Sequence, residues 1–317
     1  MAGKRQSVGV IGLGIIGSRV ASNLRKSGFE VWVWNRSPKP EPNFLASPEE
    51  LADAADTILI FVADGPALLE TVHKLLPSLS ARHVLVNHAT VGAEEAAEAG
   101  AIAERASAGF VNAPFTGSRD AAAAGRMVYY LGGAPELMSR VLPVLNATAK
   151  SVIEIGDVRQ ASLVKIATNL VSATTVEAIA EAMAVLDRHG VPLGKFAEAI
   201  ESNAICSGVT QNKIPGMVSG NFEPHFALKH MFKDIQLVIG AGADAGLEMP
   251  AANAVAGALM AGIQKGWADL DFSALACHYG YPGKQDMQSE TDSEAAAEAE
   301  IRKPRRKFGL FGGGRKD

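Results

Sequence analysis

The chain has 317 residues, 48% of them hydrophobic and 20% charged, with a formal net charge of -4. That length suits two domains with real cores, and the acidic balance speaks against a nucleic-acid binder, which usually carries a basic excess. The two cysteines, Cys206 and Cys277, fit neither a metal nor a disulfide spacing.

The first apolar run opens directly into a strand at "SVGVIG", which leaves no leader-peptide pattern ahead of it. No stretch reaches the ~18 uninterrupted apolar residues of a membrane span. The expected class is a cytoplasmic α/β protein in a reducing compartment. In chain order, "SVGVIG", "FEVWVW", "TILIFV", "HVLVNH", "GFVNA", "MVYYLGG" and "SVIEIG" read as strands. Helical patterns lie between most of them, among them 16–26, 66–76 and 135–145. Alternation of this kind predicts a mostly parallel sheet covered on both faces, and an apolar run such as "TILIFV" suits an interior strand.

After about Gly156 the strands nearly stop. An Ala-rich segment over 160–188 predicts a long helix, with His189-Gly190-Val191-Pro192 as its stop. Helical patterns follow over 193–202, 228–245 and 250–265. The expected division is a dinucleotide-binding domain over 1–160, an all-α domain over 161–280 and a tail over 281–317. The tail is acidic in "SETDSEAAAEAE" and basic in "IRKPRRKFGLFGGGRKD". It cannot bury enough apolar area to offset its ordering entropy, so it is expected to be disordered.

Gly12, Gly14 and Gly17 stand in the spacing G-x-G-x-x-G, after one strand and before a helix, with a second strand at the right distance. The first glycine suits the tight turn, the second the approach of a pyrophosphate, the third close helix–strand packing. The helix N-terminus adds partial positive charge for the phosphates. At the tip of the second strand, where an NAD-binding chain usually carries an acid, stand Asn35, Arg36 and Ser37. A guanidinium and a hydroxyl without a carboxylate favour a 2'-phosphate, so NADPH is the expected cofactor. Alternatively, Arg36 stacks on adenine and either cofactor is accepted. Leu13, Ile15 and Ile16 of the loop, and Val62, Ala63 and Asp64 after the third strand, complete the expected cofactor contacts.

Four further segments carry chemistry. Lys165 and Asn169 in "SLVKIATNLV" share a helix face with apolar flanks. A lysine there either snorkels to solvent or is held as a proton donor to a carbonyl receiving hydride. Thr116, Gly117 and Ser118 follow a strand and offer a hydroxyl and free N–H groups, a cradle for a carboxylate or an ordinary ST-turn. Lys233 lies in "KHMFKDIQLV", and Thr90 follows a strand in "VNHATV".

Together these segments resemble the β-hydroxyacid dehydrogenase family, which includes 3-hydroxyisobutyrate dehydrogenase, tartronate semialdehyde reductase and the glyoxylate/succinic semialdehyde reductases. The resemblance covers about 7–280. It implies a Rossmann-type domain followed by an all-α substrate and oligomerisation domain, related to 6-phosphogluconate dehydrogenase, in a dimer or tetramer. It implies Lys165 as general acid, Asn169 as substrate holder and Thr116-Gly117-Ser118 at the substrate carboxylate. Lys233 is implied near cofactor or substrate, and Thr90 against the nicotinamide ribose. The implied reaction is NADPH-dependent reduction of a small carboxylate-bearing aldehyde or keto acid, such as glyoxylate, succinic semialdehyde or tartronate semialdehyde. Imine reductases share the architecture but generally lack the lysine, as does a branch of the family that serves as an oligomeric chromatin scaffold. Lys165 argues against both, and they stand as the alternative readings.

Three departures from the family pattern stand out. Thr116 and Ser118 replace Ser and Gly. Arg159 and Ala161 replace glycines ahead of the lysine. His88 replaces a small or apolar residue and reads as a satisfied structural histidine. Tyr129 and Tyr130 fall in a strand and read as packing, and "NAICSGVT" is expected near the pocket mouth.

Overall fold

The computed structural model describes residues 7–280, so the expected disordered tail lies outside the described residues. Strands β1 (Ser7–Ile11), β2 (Glu30–Trp34), β3 (Thr57–Ile60), β4 (Val84–Asn87) and β5 (Gly109–Asn112) run parallel in the order β2-β1-β3-β4-β5. The sheet continues through β6 (Phe115–Thr116), β7 (Met127–Gly132) and β8 (Ala149–Gly156). Of these, β7 is antiparallel to β5 and β6, and parallel to β8. Every residue of β3 and β4 is buried, as expected for strands covered on both faces. By contrast, β8 buries none of its side chains fully.

Helices cover the sheet in two layers. On one face, α1 (Gly17–Lys26) places Val20, Ala21 and Leu24 in a core with Val8, Val10 and Val84. The opposite core takes its helical side chains from α2 (Pro48–Ala54), α3 (Gly65–Leu75) and α4 (Ala93–Glu104). After β6 comes the short α5 (Arg119–Ala123), and α6 (Pro135–Asn146) joins the α1 side of the sheet.

A 31-residue helix, α7 (Val158–Arg188), leads out of the sheet. It begins two residues before the Ala-rich pattern, because Asp157 and Gln160 form a capping box: Asp157 accepts the Arg159 and Gln160 N–H groups, and Gln160 accepts the Asp157 N–H at 2.9 Å. Around it pack α8 (Leu193–Glu201), α9 (Gly208–Ser219), α10 (Leu228–Asp244), α11 (Pro250–Gln264) and a 3-10 turn over Phe272–Tyr279. By length and composition α7 would suffice to cross a membrane. Its Val176, Ile179 and Met183 instead sit in the helical core with Ile235 and Leu259.

This architecture decides where chemistry can occur. The first turns of α7 pack against α4 and β7, and its remainder against α9, α10 and α11. Side chains on those first turns therefore face the junction of sheet and helices.

Candidate active site

At the glycine loop each glycine has a separate physical reason. Gly12 has φ +92, and a Cβ there would strike the Phe61 carbonyl oxygen. A Cβ on Gly17 would strike the Gly12 carbonyl oxygen, so α1 can approach β1 this closely only with glycine. Gly14 differs, because a Cβ there would meet open space. That space, and an α1 N-terminus without a side-chain cap, are what a pyrophosphate needs.

Beside the loop lies a cleft of about 510 Å³. It is lined by Asn35, Arg36 and Ser37 after β2, by Val62, Ala63 and Asp64 after β3, and by α3. Ile11, Gly12 and Phe61 close its inner end. Two of the polar groups expected to face cofactor are engaged within the protein. The Asn35 Oδ1 accepts the Leu13 N–H at 2.8 Å, and its Nδ2 donates to the Ser37 carbonyl at 2.8 Å. Asn35 thus ties the glycine loop to the end of β2. Asp64 caps α3 by accepting the Ala67 N–H at 3.0 Å. Lys39, which the sequence reading passed over, donates its Nζ to the Leu13 carbonyl and brings a cation to the loop. Ile15 stands 53% exposed at the loop's crest, and Ile16 packs toward the sheet core.

A second cavity, of about 460 Å³, opens between the sheet and the helices. It brings together Thr90, Thr116, Gly117, Ser118, Lys165 and Asn169, which are far apart in sequence. Gly208 and Val209 of "NAICSGVT" line it as well, whereas Phe115, Phe226, Met231 and Phe272 give it apolar walls. The Ser118 hydroxyl is partly committed, since it caps α5 by accepting the Ala121 N–H at 3.2 Å. Gly117 has φ +149, a left-handed conformation that turns the chain between β6 and α5.

Lys165 is only 7% exposed. Its Nζ donates to Asn169 Oδ1 at 2.8 Å, and Asn169 Nδ2 donates to Asp234 Oδ2 at 2.6 Å. Asp234, on α10, is 1% exposed, and its other oxygen pairs with Lys233 Nζ at 2.9 Å. Lys233 also donates to the Thr90 carbonyl. A continuous polar chain therefore runs from the sheet at Thr90 to the ammonium of Lys165. Burial pushes the Lys165 ammonium down to about 8; the Asp234 carboxylate opposes that shift and the Lys233 charge adds to it. Lys233 does not line the cavity among the described residues, and acts here as the tie between Asp234 and Thr90.

For Asp234 the resemblance implies only a place beside Lys233 over the active site, with no role for the acid itself. A Lys-Asp dipeptide on an amphipathic helix reads as a solvated face, and only the packing of α10 against α7 buries the acid. The departures also find places. Arg159 makes a two-pronged pair with Glu94 at 2.8 and 3.0 Å, joining α7 to α4. Ala161 is buried against Gly132, whose own Cβ would crowd it. Tyr129 is buried with its hydroxyl on Thr148 Oγ1 at 2.9 Å, and burial pushes its phenol up to about 12.

His88 corrects the expectation of a satisfied histidine. Its Nδ1–H donates to the Ala113 carbonyl at 2.7 Å and its ring stacks on Phe61 at 4.4 Å, but Nε2 has no partner. Burial pushes its pKa down to about 4, so the ring is neutral. Among the described residues no three His, Cys, Asp or Glu side chains gather where they could hold a metal ion.

Comparison with known proteins bears on both cavities. Residues 7–156 match the NAD-binding domain of 6-phosphogluconate dehydrogenase, and residues 160–279 match the NAD-binding domain of NADP-dependent 3-hydroxyisobutyrate dehydrogenase. The chain is 26% identical over 278 residues to glyoxylate/succinic semialdehyde reductase 1 of Arabidopsis thaliana, covering 84% of this chain and 96% of that protein. It is 27% identical over 241 residues to cytokine-like nuclear factor N-PAC of Mus musculus, covering 75% of this chain and 44% of that protein. In fold it is similar to 3-hydroxyisobutyrate dehydrogenase of Mycobacterium tuberculosis solved with L-serine, with a TM-score of 0.80 and 24% identity over 87% of this chain and all of that one. The two matched segments meet at the start of α7, and the chain belongs to the β-hydroxyacid dehydrogenase family of oxidoreductases.

Proposed function

We propose that the protein is an NADPH-dependent reductase of a small aldehyde or keto acid bearing a carboxylate, with glyoxylate, succinic semialdehyde and tartronate semialdehyde as the substrates to test first. The observation that carries this reading is the position of Lys165. A buried ammonium with a depressed proton affinity faces the same cavity as Thr116, Gly117 and Ser118.

Bound in the cleft beside the glycine loop, NADPH would supply hydride to the carbonyl carbon. The chain's own residues do the rest. The Thr116 hydroxyl and the main chain at Gly117 and Ser118 hold the carboxylate, fixing the carbonyl relative to Lys165. Lys165 Nζ hydrogen-bonds the carbonyl oxygen, stabilises the negative charge that develops there, and gives up one proton to it. Asn169 accepts from Lys165 and keeps the ammonium aimed, while Asp234 fixes the orientation of the Asn169 amide. Arg36 and Ser37 take the 2'-phosphate. Reduction is the working direction, because cellular NADPH pools are kept reduced. We place the protein in the cytoplasm as a homo-oligomer built through its helical half.

The test is steady-state oxidation of NADPH and NADH with the three substrates, on the wild type and Lys165→Ala. The expected result is turnover preferring NADPH by at least about tenfold in kcat/KM, with loss by orders of magnitude in Lys165→Ala. Turnover that survives Lys165→Ala would remove the lysine from the mechanism. No turnover with either cofactor, with NADPH still bound, would leave only the cofactor half of the reading.

A further inference from the structure

The dinucleotide cleft has a charged wall that the strand-end residues do not account for. Helix α3 presents Glu70 and Lys74 to the same 510 Å³ space as Arg36. They are one turn apart and paired, with Lys74 Nζ 2.6 Å from Glu70 Oε1. Both remain largely exposed, so solvent screens the pair and it contributes little to folding. Arg36 makes no hydrogen bond or ion pair among the described residues. Its guanidinium nonetheless sits close enough to Glu70 to help hold that carboxyl below its ordinary range, behind the larger effect of Lys74. Two cations and one carboxylate thus line the same cleft, the carboxylate paired with Lys74 and within electrostatic reach of Arg36.

A second cation beside Arg36 would suit a phosphate, and Lys39 is already committed to the Leu13 carbonyl. A phosphate monoester carries about -1.5 to -2 charge near neutral pH, and one guanidinium cannot neutralise it. Asn35, the neighbouring strand-end donor, has spent its amide on the Leu13 N–H and the Ser37 carbonyl. Lysine at position 74 is a flexible point charge lining the same cleft, suited to reach a phosphate held by Arg36 and Ser37.

We propose that Lys74 is the second cation of the 2'-phosphate site, reaching it from α3, and that Glu70 holds Lys74 in place until the phosphate displaces it. The inference rests on the NADPH reading and assigns its selectivity to two segments lining the cleft. Glu70 then opposes NADPH twice, by repelling the phosphate and by competing for Lys74. Selectivity is set by the balance of Arg36 and Lys74 against Glu70.

Direct titration of NADPH and NADH, followed by cofactor fluorescence at two salt concentrations, tests this without any substrate. The variants are Lys74→Ala, Glu70→Gln and Arg36→Ala, each with a thermal unfolding midpoint to establish that it is folded. Lys74→Ala is expected to weaken NADPH about tenfold, the size of one charge-assisted hydrogen bond, to leave NADH unchanged, and to flatten the salt dependence of NADPH binding. Glu70→Gln is expected to tighten NADPH several-fold and leave NADH unchanged. If Arg36→Ala erases the NADPH preference while Lys74→Ala and Glu70→Gln leave it intact, the strand end alone reads the phosphate and the inference is overturned. If the wild type binds both cofactors equally and Arg36→Ala changes nothing, the NADPH reading itself fails and takes the inference with it.

Discussion

Lys165 and Asn169 stand one turn apart on α7 and share a 2.8 Å hydrogen bond in which the ammonium donates and the amide oxygen accepts. The amide is held that way round because its nitrogen donates to Asp234 at 2.6 Å. A carboxylate on α10 thereby sets which end of an α7 amide faces the lysine. In the proposed mechanism, proton donation by Lys165 would depend on this arrangement, with Asp234 as a positioning residue that also raises the lysine's proton affinity.

Asp234→Asn separates those two roles. Removing the carboxylate removes the charge that raises the Lys165 pKa, so the alkaline limb of the kcat/KM profile moves to lower pH. The expected kcat loss is about 10²-fold, within the range for general acid catalysis. A variant that loses activity with an unmoved limb would make Asp234 purely structural.

Lys165→Met trades activity for stability. Burial holds the folded-state pKa at about 8, below the ordinary lysine value of 10.5, so at neutral pH the buried ammonium is held charged against its desolvation. That shift corresponds to at most about 3 kcal/mol, and an apolar side chain of similar length recovers part of it. The inactive Lys165→Met protein is expected to unfold at higher urea than the wild type. A lower midpoint would mean that the Asn169–Asp234 relay is worth more to folding than the desolvation it imposes.

His88 makes the fold acid-sensitive. Burial pushes its pKa down to about 4 in the folded chain, against an ordinary histidine value of 6.5. Below about 6.5 the unfolded chain gains a proton that the folded chain refuses until about 4. Stability is therefore full above 6.5 and falls as pH drops toward 4, by at most about 3 kcal/mol. His88→Leu removes a titrating group and an unpaired Nε2 together, so its urea midpoints at pH 7.5 and pH 5 should differ less than those of the wild type. Equal differences would show that other groups carry the acid sensitivity.

The glycines of the loop should fail differently. Gly17→Ala places a methyl against the Gly12 carbonyl and is expected to lower stability by about 2 kcal/mol or more. Gly14→Ala meets open space within the chain, so it should fold normally and lose NADPH affinity. Thermal melts and cofactor titrations on the two variants give the contrast, and a Gly14→Ala protein with wild-type affinity would place the pyrophosphate elsewhere.

Much of this was legible in the sequence, for reasons that differ by element. The buried strands announce themselves because three of the four residues in each of β3 and β4 are apolar, with Thr57 and Asn87 as the buried polar exceptions. The glycine spacing and the Lys165–Asn169 spacing are local geometry, and local geometry survives in a sequence. What could not be read depends on contacts between distant segments. Asp234 is buried only by α10 meeting α7, and Asn35 turns inward only because the glycine loop lies beside it. Helix α9 escaped notice for a local reason: Gly208, Pro215 and Gly216 break the pattern, while Ser207 supplies a cap at its start. The capping box at Asp157 and Gln160 was legible and went unused.

The central claim is that Lys165 supplies the proton, and the pH dependence of kcat/KM for NADPH-dependent reduction tests it most directly. If Lys165 must be protonated, the wild-type profile is level at lower pH and falls as pH rises through about 8, one decade per pH unit. Lys165→Arg, whose side chain stays charged throughout, should retain only a weak activity without that limb. A wild-type profile that stays level to pH 10, or a Lys165→Arg variant with the same limb, would contradict the account.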